Sequence, residues 1–265
     1  MSVLLAVKSL ARIVRCLALA GGLFAMAATP AAAFSDEGLI EGFVETVFGS
    51  EAGGHAEDLT SRVVKKFTGP VLYSIVTSSS VNHTDTVRRF MTDLSGSIQN
   101  LMLVEASHLG EADMVIFMVD RREYVPIIRA TAWAGVDTLF LEENACSAIL
   151  AARRTGIELA YIYLVADEGF DSLSHCMVEE VAQSLGPAND SSRLVHSIFN
   201  DDSAINVFGV FDWFILNILY DTRIRPGMTE ADVRPLLPAI ISDVRRRLPV
   251  ALGTAERASI GGAFR

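Results

Sequence analysis

The most informative stretch of the chain reads Glu179-Glu180-Val181-Ala182-Gln183-Ser184-Leu185-Gly186-Pro187-Ala188-Asn189-Asp190. Glu179 and Gln183 are four residues apart, so on a helix they lie on the same face, one turn from each other. Gly186 permits a sharp turn out of that helix, and the turn brings Asn189 back toward the other two side chains. The spacing therefore predicts a helix that ends at Gly186 and gathers several polar groups at one place. A surface helix with a solvated polar face is the alternative that the spacing leaves open.

The first residues of the chain have the features of a secretory signal peptide. A basic segment comes first, formed by Lys8, Arg12 and Arg15. An apolar run from Cys16 to Ala28 follows, and Ala31-Ala32-Ala33 fits a cleavage site. The apolar run is shorter than the roughly 20 residues that a membrane-spanning helix needs. We expect residues 1–33 to be removed after Ala33, and the protein to be periplasmic or secreted, with no membrane span afterwards. An N-terminal anchor that is not cleaved is the alternative.

The chain is acidic, with 32 Asp and Glu residues against 22 Lys and Arg residues. The predicted cleavage removes three basic residues and no acidic one, which changes the formal net charge from −10 to −13. Such a charge disfavours nucleic acid and anionic membrane surfaces as partners. What remains is long enough for one large domain with a sizeable core.

Two of the three cysteines, Cys146 and Cys176, remain after this cleavage. In an oxidising compartment, an even pair of cysteines favours one disulfide. The bridge would fix the start of the helix that carries Glu179 to an earlier segment. Two buried free thiols are the alternative.

Hydrophobic patterns predict a sheet in the N-terminal part and helices in the C-terminal part. The expected strands cover residues 71–76, 101–105, 113–119, 137–141 and 159–165. The expected helices cover residues 36–48, 208–220 and 230–247, with two more that begin at Thr84 and at Ser172 or Ser174. No linker rich in proline or serine separates two independent domains.

Three further blocks accompany the opening stretch: Ser197-Ile198-Phe199-Asn200-Asp201-Asp202, Leu219-Tyr220-Asp221 and Arg225-Pro226-Gly227-Met228. Together with residues 175–190 they resemble the signature of a secreted bacterial family, domain of unknown function 2927. The resemblance covers most of residues 146–238. This family in turn resembles the metzincin peptidases, whose zinc-binding helix has the frame HExxHxxGxxHD.

On the metzincin frame, the general-base glutamate falls at Glu180, the turn glycine at Gly186 and the closing aspartate at Asp190. Met228 falls where the Met-turn of a metzincin runs beneath the metal. The three zinc-binding histidines are replaced by Glu179, Gln183 and Asn189. If the protein is active, Glu180 is the candidate general base for a metal-bound water.

The resemblance and the order of elements together imply an α+β, metzincin-like (zincin-like) fold. We expect a mixed, mostly N-terminal sheet and a helical C-terminal half, with a cleft between them. Residues 34–247 should form one domain whose two subdomains meet near residue 186, and residues 248–265 should form a flexible tail.

The replaced positions disfavour zinc. Zinc sites use Cys, His and carboxylate ligands, whereas Gln183 and Asn189 offer only neutral amide oxygens. No cofactor is expected, and a hard cation such as calcium or magnesium, bound through oxygen atoms, is the alternative. His175 precedes Glu179 by one helical turn, so these two side chains could form a different pair of ligands. A histidine that makes local hydrogen bonds at the start of the helix is the simpler interpretation.

The residues support three hypotheses about function. In the first, the chain is a catalytically inactive metallopeptidase-like protein that binds a peptide or protein in the former active-site cleft, along an edge strand at residues 137–141. In the second, Glu180 serves a hydrolase, with an unusual metal or with Glu179 as a second carboxylate. In the third, the chain is a structural envelope protein. The loss of all three histidines from an otherwise retained frame favours the first hypothesis.

Overall fold

The structure is a computed structural model that describes residues 34–49, 62–132, 138–200 and 205–258. The predicted signal peptide lies outside these residues, as do Asp137, Asp201 and Asp202. Residues 259–265 of the predicted tail also lie outside them.

A five-stranded mixed sheet forms the centre of the fold, in the order β2-β1-β3-β5-β4. Its strands are β1 (Val71–Thr77), β2 (Leu103–Glu105), β3 (Met114–Val119), β4 (Cys146–Arg153) and β5 (Gly156–Val165). The first three strands and β5 run parallel, and β4 runs antiparallel to β5 at one edge. The predicted α+β class with a mixed sheet is therefore confirmed.

Eight α-helices accompany the sheet in the described ranges. They are α1 (Asp36–Phe48), α2 (Thr84–Ser97), α3 (Arg121–Thr131), α4 (Thr138–Glu143), α5 (Phe170–Gln183), α6 (Val210–Leu219), α7 (Glu230–Val233) and α8 (Leu237–Ala258). Helix α2 connects the parallel strands β1 and β2, and α5 follows β5 directly. The stretch that opens the sequence therefore lies on the helix after the last parallel strand.

Both faces of the sheet are covered. All six residues of β3 are buried, which is typical of a parallel strand with helices on both sides. The larger core packs one face against α1, α2, α5, α6 and α8. The smaller core packs the other face against Tyr124 and Ile128 of α3 and Leu141 of α4.

Helix α6 is apolar on nearly every face, and all its residues from Phe211 to Leu219 are buried. A helix with this pattern belongs inside a core. Its first turn contains Asp212, whose carboxylate is fully buried and accepts hydrogen bonds from Ser197 Oγ at 2.6 Å and from the N–H of Gly209 at 2.8 Å. Burial raises the pKa of Asp212 to about 6, although these hydrogen bonds oppose the shift.

Three expectations about elements were wrong. The strand expected at residues 137–141 is instead helical from Thr138 onward, because a short apolar run does not distinguish strand from helix. The edge strands of the sheet are instead β2 and β4. Neither Ser172 nor Ser174 caps α5, which begins at Phe170 after Gly169.

The last predicted helix is divided and extended. A 3-10 turn at Arg234–Leu236 separates α7 from α8. Helix α8 continues to Ala258, beyond the predicted end at Arg247, so part of the predicted tail is helical.

Candidate functional site

One covalent bond ties the edge of the sheet to the helix that carries the opening stretch. Cys146, the first residue of β4, and Cys176, in the middle of α5, form a disulfide, and their Cα atoms lie 5.6 Å apart. The predicted pairing is confirmed. The bond fixes the start of β4 to α5, at a point one helical turn before Glu179 and Glu180.

The polar face of α5 begins with a charged histidine. The imidazole of His175 donates through Nε2 to Glu179 at 3.0 Å and through Nδ1 to the carbonyl oxygen of Ile205 at 2.7 Å. Because both ring nitrogens face acceptors, both carry protons. The hydrogen bond to Glu179 is the main reason that the pKa of His175 is raised to about 9, while burial opposes the increase.

The next polar residue of this face is bonded to the loop that follows the helix. The amide nitrogen of Gln183 donates to both carboxylate oxygens of Asp190, at 2.9 and 2.8 Å. Asn189 turns toward α1, where its backbone N–H and its amide nitrogen both donate to the carbonyl oxygen of Thr46 at 3.2 Å. The structure thus brings Gln183 to Asp190 and Glu179 to His175, but it takes Asn189 to a different helix.

Zinc, which the metzincin frame implies, does not fit these residues. The carboxylate of Glu179 accepts a hydrogen bond from His175, and the amide nitrogens of Gln183 and Asn189 donate to protein oxygens. The amide oxygens of Gln183 and Asn189 are neutral donors of a kind that zinc sites do not use. Across the described ranges, no group of three or more His, Cys, Asp and Glu side chains is arranged to hold a metal ion. An oxygen-ligated cation stays a prediction.

Glu180, the candidate general base, is buried, with 8% of its surface exposed. Its negative charge contributes to the raised pKa of Tyr124, for which burial is the main cause. The Tyr124 hydroxyl donates to Ser147 Oγ of β4 at 3.0 Å. The charge of Glu180 therefore affects Tyr124, which is bonded to β4, whereas Glu179 is bonded to His175.

Gly186 allows the end of α5 to approach another part of the backbone. Its φ is +135°, and a Cβ atom there would lie 2.2 Å from the carbonyl oxygen of Lys65 and 2.8 Å from Leu219 Cδ2. Only glycine adopts this conformation readily and leaves room for the carbonyl. The residue thus packs the opening stretch against both the segment before β1 and helix α6.

The turn at Met228 contacts the same segment. The carbonyl oxygen of Met228 accepts from the N–H of Val64 at 2.8 Å, and the N–H of Gly227 donates to the Val64 carbonyl at 2.9 Å. The sulfur of Met228 accepts from the N–H of Arg225 at 3.1 Å, within its own turn. Gly186 and Met228 are therefore connected through residues 63–66.

Sequence reasoning missed a buried cation in this segment. Lys66 is 7% exposed, and its ammonium donates to the carbonyl oxygens of Leu219 at 2.8 Å and Asp221 at 3.3 Å, at the end of α6. Burial lowers its pKa to about 8, and the charge of Asp221 opposes the decrease. The available signal was Lys66 directly before the apolar residue Phe67, in the segment that leads into a predicted strand.

Strand β4 has an edge that no other described strand covers. The N–H of Val165 donates to the carbonyl of Ala145 at 2.9 Å, so alternate residues from Ala145 onward bond to β5. The residues between them, Cys146, Ala148 and Leu150, point their N–H and C=O groups away from β5. Their side chains pack against the core that contains α5. Such an edge can accept an added strand.

These features define an α+β protein in which one edge strand of a mixed sheet is disulfide-linked to a helix with an internally bonded polar face. Residues 36–239 match a family model described as a protein of unknown function (DUF2927), so the chain belongs to this family. Among curated proteins, none matches the sequence. In the ranges that the structure describes, no helix combines the length and hydrophobicity needed to cross a bilayer.

Proposed function

We propose that the protein is an exported, noncatalytic binding module with a metzincin-like fold, and that a peptide or a protein segment binds it by adding a strand to β4. The observation that carries this proposal is the edge of β4 that no described strand covers, where the N–H and C=O groups of three residues point away from β5. Because the disulfide holds this edge beside α5, its position is fixed before a ligand arrives.

The hydrogen bonds along α5 support a noncatalytic role. In a metzincin the positions of Glu179, Gln183 and Asn189 would hold a metal, but here each is hydrogen-bonded to another residue of the protein. The Gln183 bond connects α5 to the loop that follows it, and the Asn189 bond connects that loop to α1, so these positions stabilise the scaffold.

The charge and the disulfide support export and a protein ligand. The net charge of −10, or −13 after the predicted cleavage, disfavours nucleic acid. A disulfide is compatible with an extracytoplasmic location, as the predicted signal peptide implies.

The proposal is tested by removing one outward N–H from the edge. Leu150→Pro deletes an N–H that does not bond to β5, and proline is tolerated on edge strands. Peptides selected from a random twelve-residue library should bind this variant at least about tenfold more weakly, since a main-chain hydrogen bond is lost and the ring obstructs the edge.

Leu150→Ala is the matched control, because it removes the side chain and keeps the N–H. Its affinity for the same peptides, measured by fluorescence anisotropy, should stay within about threefold of the parent. Equal affinity of parent and Leu150→Pro would show that ligands do not pair with β4. A tightly bound zinc ion in each chain, found by elemental analysis after metal exchange, would contradict the noncatalytic role.

A further inference from the structure

The two ends of β4 carry opposite charges. Helix α4 ends two residues before this strand with Glu142 and Glu143, both exposed. At the other end, Arg153 is the last residue of β4 and Arg154 begins the turn to β5, and both are exposed. Strand β4 therefore lies between an acidic pair and a basic pair.

A third arginine lies beside the basic pair. In the turn at residues 225–228, a Cβ atom on Gly227 would be 2.8 Å from the carbonyl oxygen of Arg154, and the ring of Pro226 lies 3.7 Å from the Cβ position of Gly156. These contacts place Arg225, which is exposed, next to the turn between β4 and β5. The basic cluster is thus built by two segments far apart in the sequence.

Most of these charges have no partner in the described part of the protein. Arg153 pairs with Glu158 at 2.9 Å, where both side chains are largely exposed. Arg154, Arg225, Glu142 and Glu143 take part in no side-chain hydrogen bond or ion pair with a described residue. In an acidic protein, two arginines without a described partner at one end of an edge strand provide a local site for a carboxylate.

We propose that the strand added to β4 is bipolar, with an acidic residue against Arg154 and Arg225 and a basic residue against Glu142 and Glu143. This inference rests on the proposed binding at β4. The strand spans seven steps from Cys146 to Arg153, or roughly 24 Å at about 3.4 Å per residue. The two opposite charges of the ligand should therefore be about seven to nine residues apart. This spacing fixes the register in which the ligand pairs.

The test is a selection of a random twelve-residue peptide library on the purified protein and on the double variant Arg154→Glu/Arg225→Glu. Peptides that bind the parent should carry Asp or Glu toward one end and Lys or Arg toward the other. On the double variant, the preference for Asp or Glu should change to Lys or Arg. Arg89→Glu, an exposed charge reversal on α2, is the control and should select the same peptides as the parent.

Affinities of single peptides complete the test. The double variant should bind a peptide selected on the parent about tenfold more weakly, because exposed charge pairs each change affinity by a few-fold and two are reversed. Replacing the acidic residue of that peptide with lysine should restore its binding to the variant. Peptides without charge bias that still lose affinity for Leu150→Pro would overturn the bipolar ligand and leave binding at β4 intact. Failure to select any peptide that distinguishes the parent from Leu150→Pro would overturn both proposals.

Discussion

Replacing His175 with glutamine should remove a pH-dependent part of the stability of the protein. The imidazole donates to Glu179 at 3.0 Å and to the carbonyl of Ile205 at 2.7 Å, and the charge of Asp190 also favours its protonated form. Glutamine can donate from its single amide nitrogen, but it carries no charge. The variant therefore keeps part of the hydrogen bonding and loses the titration.

The magnitude follows from the pKa of about 9 in the folded protein and 6.5 in the unfolded chain. At 1.36 kcal/mol per pH unit, the difference between these two pKa values stabilises the folded state by at most about 3 kcal/mol. Because the side chain is 29% exposed, solvent screening reduces this to about 2 kcal/mol. A raised pKa means that the folded state holds the proton more tightly. The stabilisation is thus fully present below pH 6.5 and is lost as the pH rises through 9.

The measurement is the free energy of urea unfolding of the parent and of His175→Gln between pH 6 and pH 9.5. The difference between the two proteins should be about 2 kcal/mol at pH 6 and should shrink to a few tenths by pH 9.5. Lys66 titrates in part of this range, but it does so in both proteins and cancels in the difference. His108→Gln, which removes an exposed histidine, should match the parent throughout. A difference that stays constant with pH would refute a charged His175 in the folded state.

Three other perturbations test the site. Replacing both Cys146 and Cys176 with serine should lower the free energy of unfolding by about 3–4 kcal/mol, because the disulfide closes a loop of 30 residues and so reduces the entropy of the unfolded chain. A loss below about 1 kcal/mol in urea unfolding would contradict this. Gly186→Ala should destabilise the folded protein by about 3 kcal/mol or more, because the φ of this residue is +135° and the added Cβ atom would meet the Lys65 carbonyl. Gly110→Ala is the control: no atom lies within 4 Å of its Cβ position, so it should change the free energy of unfolding little in the same assay. Glu180→Gln should leave cleavage of a peptide library at the background of the parent, with or without added zinc, and turnover that this variant abolishes would establish a hydrolase.

The central strands β3 and β5 and helix α5 were predictable because the hydrophobic pattern of each segment by itself indicates a strand or a helix. Strands β3 and β5 are continuous apolar runs, and α5 has the spacing of a helix with one polar face. Strand β4 was missed because Cys146-Ser147-Ala148-Ile149-Leu150-Ala151-Ala152-Arg153 is rich in alanine, which favours helices and is depleted in strands. It is extended because it pairs with β5 across a short turn.

Spacing placed Glu179 and Gln183 on one face of α5, but it could not name their partners. Those partners come from outside the helix, at Asp190 and at His175 with its acceptor Ile205. Asn189 was expected at the same place, yet it bonds to Thr46 on α1, which is 143 residues away in the sequence. Local periodicity carries no information about contacts at such separations, so the predicted convergence of Glu179, Gln183 and Asn189 was only partly correct.

The segment at residues 63–66 has a consequence for how the protein folds. The ammonium of Lys66 bonds to carbonyl groups 153 and 155 residues later in the chain, and Val64 bonds to the turn at Met228. During synthesis from the N-terminus at about 5–20 residues per second, the carbonyl groups that accept from Lys66 are made roughly 8–30 seconds after Lys66 itself. Contacts of such long range also slow folding itself. Late completion of the structure fits the export proposed above, because passage through a secretion channel requires a chain that has not yet folded.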